Sequence, residues 1–365
     1  MEEKKSIFNI FTKILLAMLA VSIVPVLGVW FFNYQSATEN SSKQVDERLS
    51  AYAKNLSKEV DGWLDMNRRM LTQNAALSDI RSMRSMQQDP VLKSITDTYG
   101  WTYLAFTVAP DSAGTNIGRS DGNPTVLYGD REYFQQVMRG QSFGKQVLVG
   151  RTTNRPALIL STGIRADNHQ LRGVLAIAMH LDDISRSVAS ARIGNSGFAF
   201  LLDEAGQVIA HPSDEFTSTR KDLSDHPAFQ ATGRSDGSII FSDEGGEKTI
   251  AFTHRTEDGW VVVAQQPYAE AYAALRELNR TSFILLLVAV VMGLVVALLF
   301  SRQLSLPIRQ LTNVADRLSK GQMDVTVSGL DRGDEIGALA RAIDRLGTSI
   351  KYAMERARKA KQGTS

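Results

Sequence analysis

The 365-residue chain contains no cysteine. That single absence excludes a disulfide framework, a thiolate metal site and a cysteine nucleophile. Histidine is scarce too: His169, His180, His211, His226 and His254 are scattered with no metal-ligand spacing, so no metal is expected. Neither sign of charge dominates, with 41 Lys and Arg against 39 Asp and Glu, a net +2. Nucleic acid is therefore not expected as a partner. No paired-carboxylate, triad or metal constellation stands out, so no catalytic residue and no cofactor is assigned and the chain is not expected to be an enzyme. His211-Pro212 has no acid–base partner at a recognisable spacing and is assigned a structural role.

What is present is a globular composition, 43% hydrophobic and 22% charged, long enough for two or three domains at roughly 150 residues each. Two stretches carry no charge at all, 14–32 and 283–300. At about 1.5 Å per helical residue each nearly crosses a hydrocarbon core of about 30 Å. A cleaved signal peptide is the competing interpretation of the first, but bulky Trp30-Phe31-Phe32-Asn33-Tyr34 follows it instead of a small-x-small cleavage site. A buried core helix competes for the second, yet it would lack any polar face. Lys4, Lys5 and Lys13 precede the first span, and Arg302, Arg309 and Arg317 follow the second. The positive-inside rule then places both termini in the cytoplasm and 33–281 outside.

Between 35 and 89 there is no proline and one glycine, Gly62. A heptad-like seam of Val45, Leu49, Tyr52, Leu56, Val60, Trp63, polar Asn67, Met70 and Leu77 predicts a long helix that Pro90 ends. Such a seam needs a partner, either the domain it supports or the same helix of a second copy, so a homodimer is expected. Beyond Pro90 the period changes to two. Strands are predicted at 99–109, 157–162 and 174–181, with a hairpin turn at Asp111-Ser-Ala-Gly114 and a short helix at 130–139. After a short segment at 185–192 the pattern repeats, with strands at 197–203, 207–211, 237–241, 249–253 and 260–265. The fold class is thus α+β: two successive antiparallel-sheet modules behind one long helix.

Past the second span, Pro307 is followed by a stripe of Ile308, Leu311, Ala315 and Leu318. A Gly-bounded connector at 321–333 carries Met323, Val325, Val327 and Leu330, spaced to tuck into a core. Asp334-Glu335-Ile336-Gly337 opens a second helix, its acids suited to the positive end of the helix dipole. The second stripe is Ile336, Leu339, Ile343, Leu346 and Ile350. Two short amphipathic helices cannot bury these stripes alone, but a dimer pairs them into a parallel four-helix bundle.

Several of these motifs resemble known families. Gly194-Asn-Ser-Gly-Phe-Ala-Phe-Leu-Leu-Asp-Glu-Ala-Gly-Gln-Val-Ile-Ala-His-Pro212 and Gly259-Trp-Val-Val-Val-Ala-Gln-Gln-Pro267 resemble the membrane-proximal, PAS-like module of double-Cache sensor domains. Asp130-Arg-Glu-Tyr-Phe134 and Gly173-Val-Leu-Ala-Ile-Ala-Met-His-Leu181 are similar to the membrane-distal module, where such receptors bind ligands. Pro307, the connector and Asp334-Glu335-x-Gly337 resemble a HAMP domain and are taken as signal-relay positions. The resemblance implies a bacterial inner-membrane receptor, two-pass, with a cytoplasmic N-terminus (1–13), a first transmembrane helix (14–32), a double-Cache sensor (33–281), a second transmembrane helix (282–301), a HAMP domain (302–354) and a basic tail (355–365).

It also implies the site. Arg131 offers a rigid fork that matches a carboxylate, with Tyr133 and Phe134 beside it and Tyr128, Tyr103 and Thr162 as further wall candidates. From residue types alone, Arg131 could equally pair with Asp130 or cap its helix, with the aromatics as core. Amino-acid-binding Cache domains resemble Arg-x-Trp-Tyr with an Asp on a later strand. Here the motif is Arg131-Glu-Tyr-Phe134 and the matching strand position is Ala178, so the expected ligand is a small carboxylate. Dicarboxylate sensors tend to place a lysine at that strand position, which points to a monocarboxylate. An amino-acid chemoreceptor or kinase sensor, and a non-signalling membrane-anchored scaffold, are the alternatives. No histidine lies beyond the second span to accept a phosphoryl group, and no output motif follows the relay. Output is expected from a separate cytoplasmic protein docking on the HAMP domain or from further residues.

Overall fold

The computed structural model describes residues 10–150, 156–234, 237–243 and 245–362. The chain divides into two units, Glu39–Ala274 and a second made of Met1–Thr38 with Leu275–Ser365.

In the first unit, the end of a long helix, α1 (Ile10–Ala75), leads through α2 (Ser78–Arg81) and α3 (Ser85–Thr98) to two five-stranded antiparallel sheets. The distal sheet comprises β1 (Thr102–Val108), β2 (Asn116–Arg119), β3 (Phe143–Val149), β4 (Pro156–Arg165) and β5 (Leu171–His180), with α4 (Glu132–Met138) between β2 and β3. After α5 (Asp182–Ser190), the proximal sheet comprises β6 (Phe198–Leu202), β7 (Val208–Ala210), β8 (Ile239–Ser242), β9 (Lys248–Arg255) and β10 (Val261–Pro267), with α6 (Asp214–Thr219) and α7 (Pro227–Ala231) between β7 and β8. The strand orders, 2-1-5-4-3 and 7-6-10-9-8, are the same topology used twice. This is the α+β, two-module architecture the sequence predicts. The edge strand β3 and the helices α6 and α7 were not predicted.

Two corrections concern the long helix. The centre of the buried face is Val45, Leu49, Ala53, Leu56, Val60, Leu64, Asn67, Leu71 and Ala75, with Ser57 and the predicted Met70 buried beside it, whereas Tyr52 is 40% and Leu77 42% exposed. Its steps run 4-4-3, an eleven-residue repeat over three turns, where the heptad-like seam assumed seven over two. A heptad would wind the helix into a left-handed supercoil with a second helix. The observed spacing instead keeps one face of the helix against the two sheet modules of its own chain. Polar links fasten it there: Arg48 to Gln266 at 3.0 Å, Trp101 to Asn67 Oδ1 at 3.0 Å, and an Arg68–Asp258 ion pair. The second correction is the helix end. Continuing the spacing past Ala75 would turn Ser78 and Ser82 inward; the chain breaks instead and buries Ile80 completely. Met83 takes a left-handed φ of 52° to reverse the chain. Pro90 therefore ends nothing; it lies inside α3, where it removes one backbone donor.

In the distal module α4 covers the face of β1, β4 and β5 that carries Leu104, Phe106, Ile159, Ala176 and Ala178. On the opposite face of β1, Thr107 donates to the fully buried Gln88 of α3 at 2.5 Å, and Gln88 donates to the Ile80 carbonyl at 2.7 Å. In the proximal module the turn at 194–196 is held by Glu270. Its carboxylate accepts from the Asn195 and Ser196 amides, at 2.5 and 3.1 Å, and from the Ser196 hydroxyl, which keeps its pKa at about 2. Glu270 belongs to α8 (Tyr268–Ala271), just before the chain leaves this unit.

In the second unit, the start of α1 and the middle of α9 (Ala273–Ser319) are each long and apolar enough to cross a membrane. Their outward faces are bare hydrocarbon, with Val21 77%, Phe32 72%, Leu285 64% and Met292 65% exposed. Where α9 meets α1 its residues are small and four apart. A Cβ on Gly293 would stand 3.2 Å from Ser22 Oγ, Ala297 is 1% exposed, and Ser301 donates to the Phe11 carbonyl at 2.9 Å.

Further along, α9 runs unbroken through Pro307 and ends on Gly321, whose φ of 81° closes a Schellman turn. Its two bonds run from the Gly321 amide to Leu318 O and from the Gln322 amide to Arg317 O, both 3.0 Å. From the connector Val327 enters a small core with Leu311, Ile336 and Ala340. Leu330, expected to tuck in as well, is 37% exposed. It sits beyond the turn at Gly329, whose φ is 86°. The last helix is α10 (Glu335–Gln362). Asp334 precedes it and accepts from the Gly337 amide at 3.0 Å while pairing with Arg332 at 2.6 Å, which together hold its pKa at about 2. Glu335 is the first helical residue, and a Cβ at Gly337 would come within 2.1 Å of the Arg332 carbonyl oxygen.

Candidate ligand site

The residues around Arg131 meet where a loop turns into α4. Gly114 and Gly129 close against each other there: a Cβ on Gly114, whose φ is 63°, would lie 2.3 Å from the Gly129 nitrogen. That close approach sets Tyr128, Arg131 and Tyr133 over the open end of the sheet. Arg131 precedes the first turn of α4, and Tyr133 lies one residue into it, fully covered at 2% exposure. The serine of β4 fixes the helix from below, Ser161 Oγ donating to the Tyr133 carbonyl at 2.7 Å.

A cavity of 60 Å³ opens between α4 and the sheet, lined by Tyr103, Leu104, Phe106, Val126, Tyr128, Arg131, Tyr133, Leu148, Gly150 and Ile159. The structure thus brings together four of the six residues named from sequence: Arg131, Tyr133, Tyr128 and Tyr103. Phe134 instead belongs to the packed core beneath α4. Thr162 points to the opposite face of β4 from Ile159 and donates to the Ser142 carbonyl at 3.0 Å. Ala178 is paired between Leu104 and Ile159, both of which line the cavity, and is buried on the same face of the sheet beneath them. Among the described lining residues Arg131 is the sole cation and there is no carboxylate. Its ion pair with Asp130 is long, 3.8 Å from Nε, and Asp130 itself is 60% exposed.

One functional group escaped the sequence-based account. Arg119 is buried, its side chain 4% exposed, and forks onto both oxygens of Asp121 at 2.8 and 2.7 Å. Its third contact is the Tyr128 hydroxyl at 2.7 Å. Tyr128 packs in turn on Phe106, ring centroids 4.6 Å apart, and on Tyr133 at 6.5 Å. The Arg119–Asp121 pair thus holds one wall of the cavity in place. A clue in the sequence was the Arg119-Ser-Asp121 spacing, an arginine and an aspartate two apart in a short strand and its turn.

The Arg119 guanidinium lowers the Asp121 carboxyl from an ordinary 3.8 to about 2, and burial raises the Tyr128 phenol. A carboxyl depressed in the folded state contributes stability that is complete above its unfolded value and fades as pH falls towards its folded one. Asp121 remains partly exposed, so the contribution is discounted to roughly 1–2 kcal/mol. Thermal unfolding between pH 5 and pH 2 should therefore show a loss that Asp121→Asn reduces, Glu270 and Asp334 contributing the rest. If the variant keeps the same slope, the pair does not carry the effect.

The family model described as a Cache domain matches residues 33–275, well over half of the sequence. The chain belongs to the Cache domain family. In this Cache protein the HAMP domain model also matches, over residues 299–351. Among curated relatives, it is 23% identical over 359 residues to the methyl-accepting chemotaxis protein McpA of Bacillus subtilis, covering 94% of this chain and 51% of that one. It is 24% identical to the methyl-accepting chemotaxis protein PscA of Pseudomonas syringae, covering 93% and 55%. The Cache protein spans about half the length of the curated relatives it matches. Among solved structures, the ligand-binding domain of Mlp24 with asparagine superposes with a TM-score of 0.54 at 16% identity, covering 66% of this chain and 99% of that one. The ligand-binding domain of the Pseudomonas aeruginosa amino acid chemoreceptor PctB, in complex with L-Arg, gives 0.52 at 17%, covering 63% and 98%. At these identities the likeness establishes the double-module fold.

Proposed function

We propose that this chain is the sensing and relaying part of a two-span chemoreceptor, in which a small carboxylate bound at Arg131 outside the membrane biases the HAMP helices inside. The observation that carries this reading is the cavity composition: one guanidinium, three tyrosines and no carboxylate among the described lining residues. Anions are favoured there because a planar fork gives two charge-assisted bonds in a poorly hydrated site. The methyl-accepting relatives support a chemotactic output, supplied by a cytoplasmic partner or by residues beyond this stretch, and a homodimer in the bilayer.

The solved neighbours named for asparagine and L-Arg favour a second reading, an amino acid. Against it stands the lack of a carboxylate among the described lining residues, with Ala178 buried beneath them, because an ammonium without an acidic partner there would cost several kcal/mol when buried. Calorimetric titration of the full chain in lipid nanodiscs with acetate, pyruvate, lactate, alanine and asparagine decides between them. The expected result is heat with the first three and none with the last two. Binding of alanine and asparagine alone would replace the first reading by the second, and no binding at all would remove both.

Transmission has a physical route within the sensor. Arg220 of the proximal module, held at a left-handed φ of 50°, donates to the Val147 carbonyl of β3 at 2.8 Å and to Asp203 at 2.5 Å. Lys145, also on β3, pairs with Glu204 at 2.5 Å. The next residue after Val147 is Leu148, which lines the cavity, so a ligand that shifts β3 pulls directly on the second sheet. The exit is α8 and α9, and the HAMP helices are the bistable element that a small shift would flip. In the isolated chain Leu339 and Leu346 of the second stripe are 46% and 56% exposed, the faces a dimer would cover. Cysteines placed at Leu339 and Leu346, in a chain that has none of its own, should crosslink to a second copy and change their relative yields when ligand is added. Equal yields with and without ligand would refute the switch.

A further inference from the structure

The proximal module has a cavity of its own, and nothing in the reading above uses it. It occupies 580 Å³ between residues of β6, β8 and β10 and the segments around α6 and α7. That volume falls in the range of small-molecule pockets, roughly 300–1,000 Å³. Its walls are aromatic. Phe198, Phe200, Phe216 and Phe241 line it together with the rings of His211 and His226. His211 lies almost parallel to Phe216, centroids 4.6 Å apart and planes 28° apart, and meets Phe198 edge-on at 5.4 Å. His226 stands edge-on to Phe200 and to Phe241, at 5.6 and 5.1 Å.

The backbone orients both imidazoles. His211 Nδ1 accepts from the Ser213 amide at 2.9 Å and His226 Nδ1 accepts from the Ala228 amide at 3.2 Å, which places the proton of each neutral ring on Nε2. Burial, reinforced by Lys221 and His226, pushes the His211 imidazole down to about 4. Gln265 is the amide among the lining residues. Gln265 lies on β10 opposite Phe198 and Ala251, on the face that also carries Val261 and Val263. Its Oε1 is buried with no hydrogen-bond partner among the described residues, and a ligand donor reaches it once the amide turns into the cavity. A buried amide oxygen left unpaired destabilises the folded chain, and a ligand donor would relieve that cost. Charge separates this cavity from the distal one. Lys221 is accompanied by Asp222, Asp225 and Asp243, so a carboxylate gains nothing here.

The geometry points to a second, independent ligand site in the proximal module, for a small planar aromatic or heteroaromatic molecule that carries a ring N–H: the ring stacks among Phe198, Phe216 and His211, and the N–H donates to Gln265 Oε1. Occupancy would sit one residue along β10 from Gln266, which faces the other side of the sheet, receives Arg48 from α1 at 3.0 Å and donates to Glu270 of α8 at 2.8 Å. The site is therefore placed to act on the exit helix without passing through the distal cavity. It does not depend on the carboxylate reading.

Indole and 1-methylindole are the probes, because they share the ring and differ in the donor. Calorimetry on the full chain in nanodiscs should give one indole site per chain, with 1-methylindole at least about tenfold weaker. Gln265→Leu should close that gap, and Phe216→Ala should weaken both probes. Arg131→Ala should leave indole binding unchanged. Equal affinities of the two probes for the unaltered chain would overturn the assignment without recourse to any variant. So would absence of indole binding up to millimolar concentration, or its loss with Arg131→Ala.

Discussion

Replacing Arg131 by alanine should lower the affinity for the carboxylate ligand by a factor of about 10²–10³ while leaving the fold intact. Deleting one partner of a buried, hydrogen-bonded charge pair costs about 2–5 kcal/mol, and each 1.4 kcal/mol is tenfold. The Arg131 side chain is only 17% exposed, so water replaces little of what is lost. Stability should hardly change. Its one ion pair among the described residues, with Asp130, is long and open to solvent, and such pairs contribute between about 0 and 1 kcal/mol. Arg131→Lys keeps the charge but loses the planar fork, and should recover only part of the affinity. Isothermal titration of the three proteins with the best-binding acid, alongside their melting curves, makes the comparison. Unchanged affinity in Arg131→Ala would sink the assignment of the cavity.

The opposite signature is expected at Gly144, a residue that touches no ligand. A Cβ there would stand 2.0 Å from the Tyr133 carbonyl oxygen and 2.5 Å from Ser161 Oγ. Neither can give way cheaply, because Ser161 Oγ is the donor that ties the Tyr133 carbonyl to β4. Gly144→Ala must lift α4 off β3 and carry Arg131 and Tyr133 with it. Overpacking of this kind costs about 1–3 kcal/mol, here at the upper end, or a drop in Tm of roughly 6–12 °C for a domain of this size. Gly100→Ala is the control, since nothing lies within 4 Å of its added Cβ and its φ is not positive. Differential scanning calorimetry of the two variants should separate them clearly. Equal melting temperatures would mean that α4 does not rest on β3 as described.

The features that the sequence made legible are those set by period and composition. The uncharged runs, the alternation of β1, β5 and β10 and the 3-4 spacing after Pro307 each follow from one residue pattern with one structural solution. The seam of the long helix was harder, because Tyr52 and Ala53, or Trp63 and Leu64, are adjacent apolar residues that serve equally well under a seven- or an eleven-residue repeat. Only the surface against which the helix packs selects Ala53 and Leu64. Pro90 misled for a related reason: proline weakens a helix but does not place its end, and here the decision lay in which side chains a further turn would have buried. At the site, Arg131 and its tyrosines were visible through a linear motif. Arg119 was not, because its function is to hold a residue nine positions away across a turn. Thr162 was misplaced by one step of strand register, since neighbouring residues of β4 face opposite sides.

The small residues of α9 bear on how far anything can be transmitted between the two apolar helices. Gly293, Ala297 and Ser301 recur every four residues, about 6 Å along the axis at 1.5 Å per residue. Close approach is possible only while those flat positions stay opposite α1. A displacement of one or two ångströms keeps them there, and the Ser301 hydroxyl can follow the Phe11 carbonyl by rotating. A slide of half the repeat would carry the small positions out of register with α1, break the Ser301 bond to Phe11 and force the helices apart. The contact therefore works as a detent: it passes short strokes and arrests long ones.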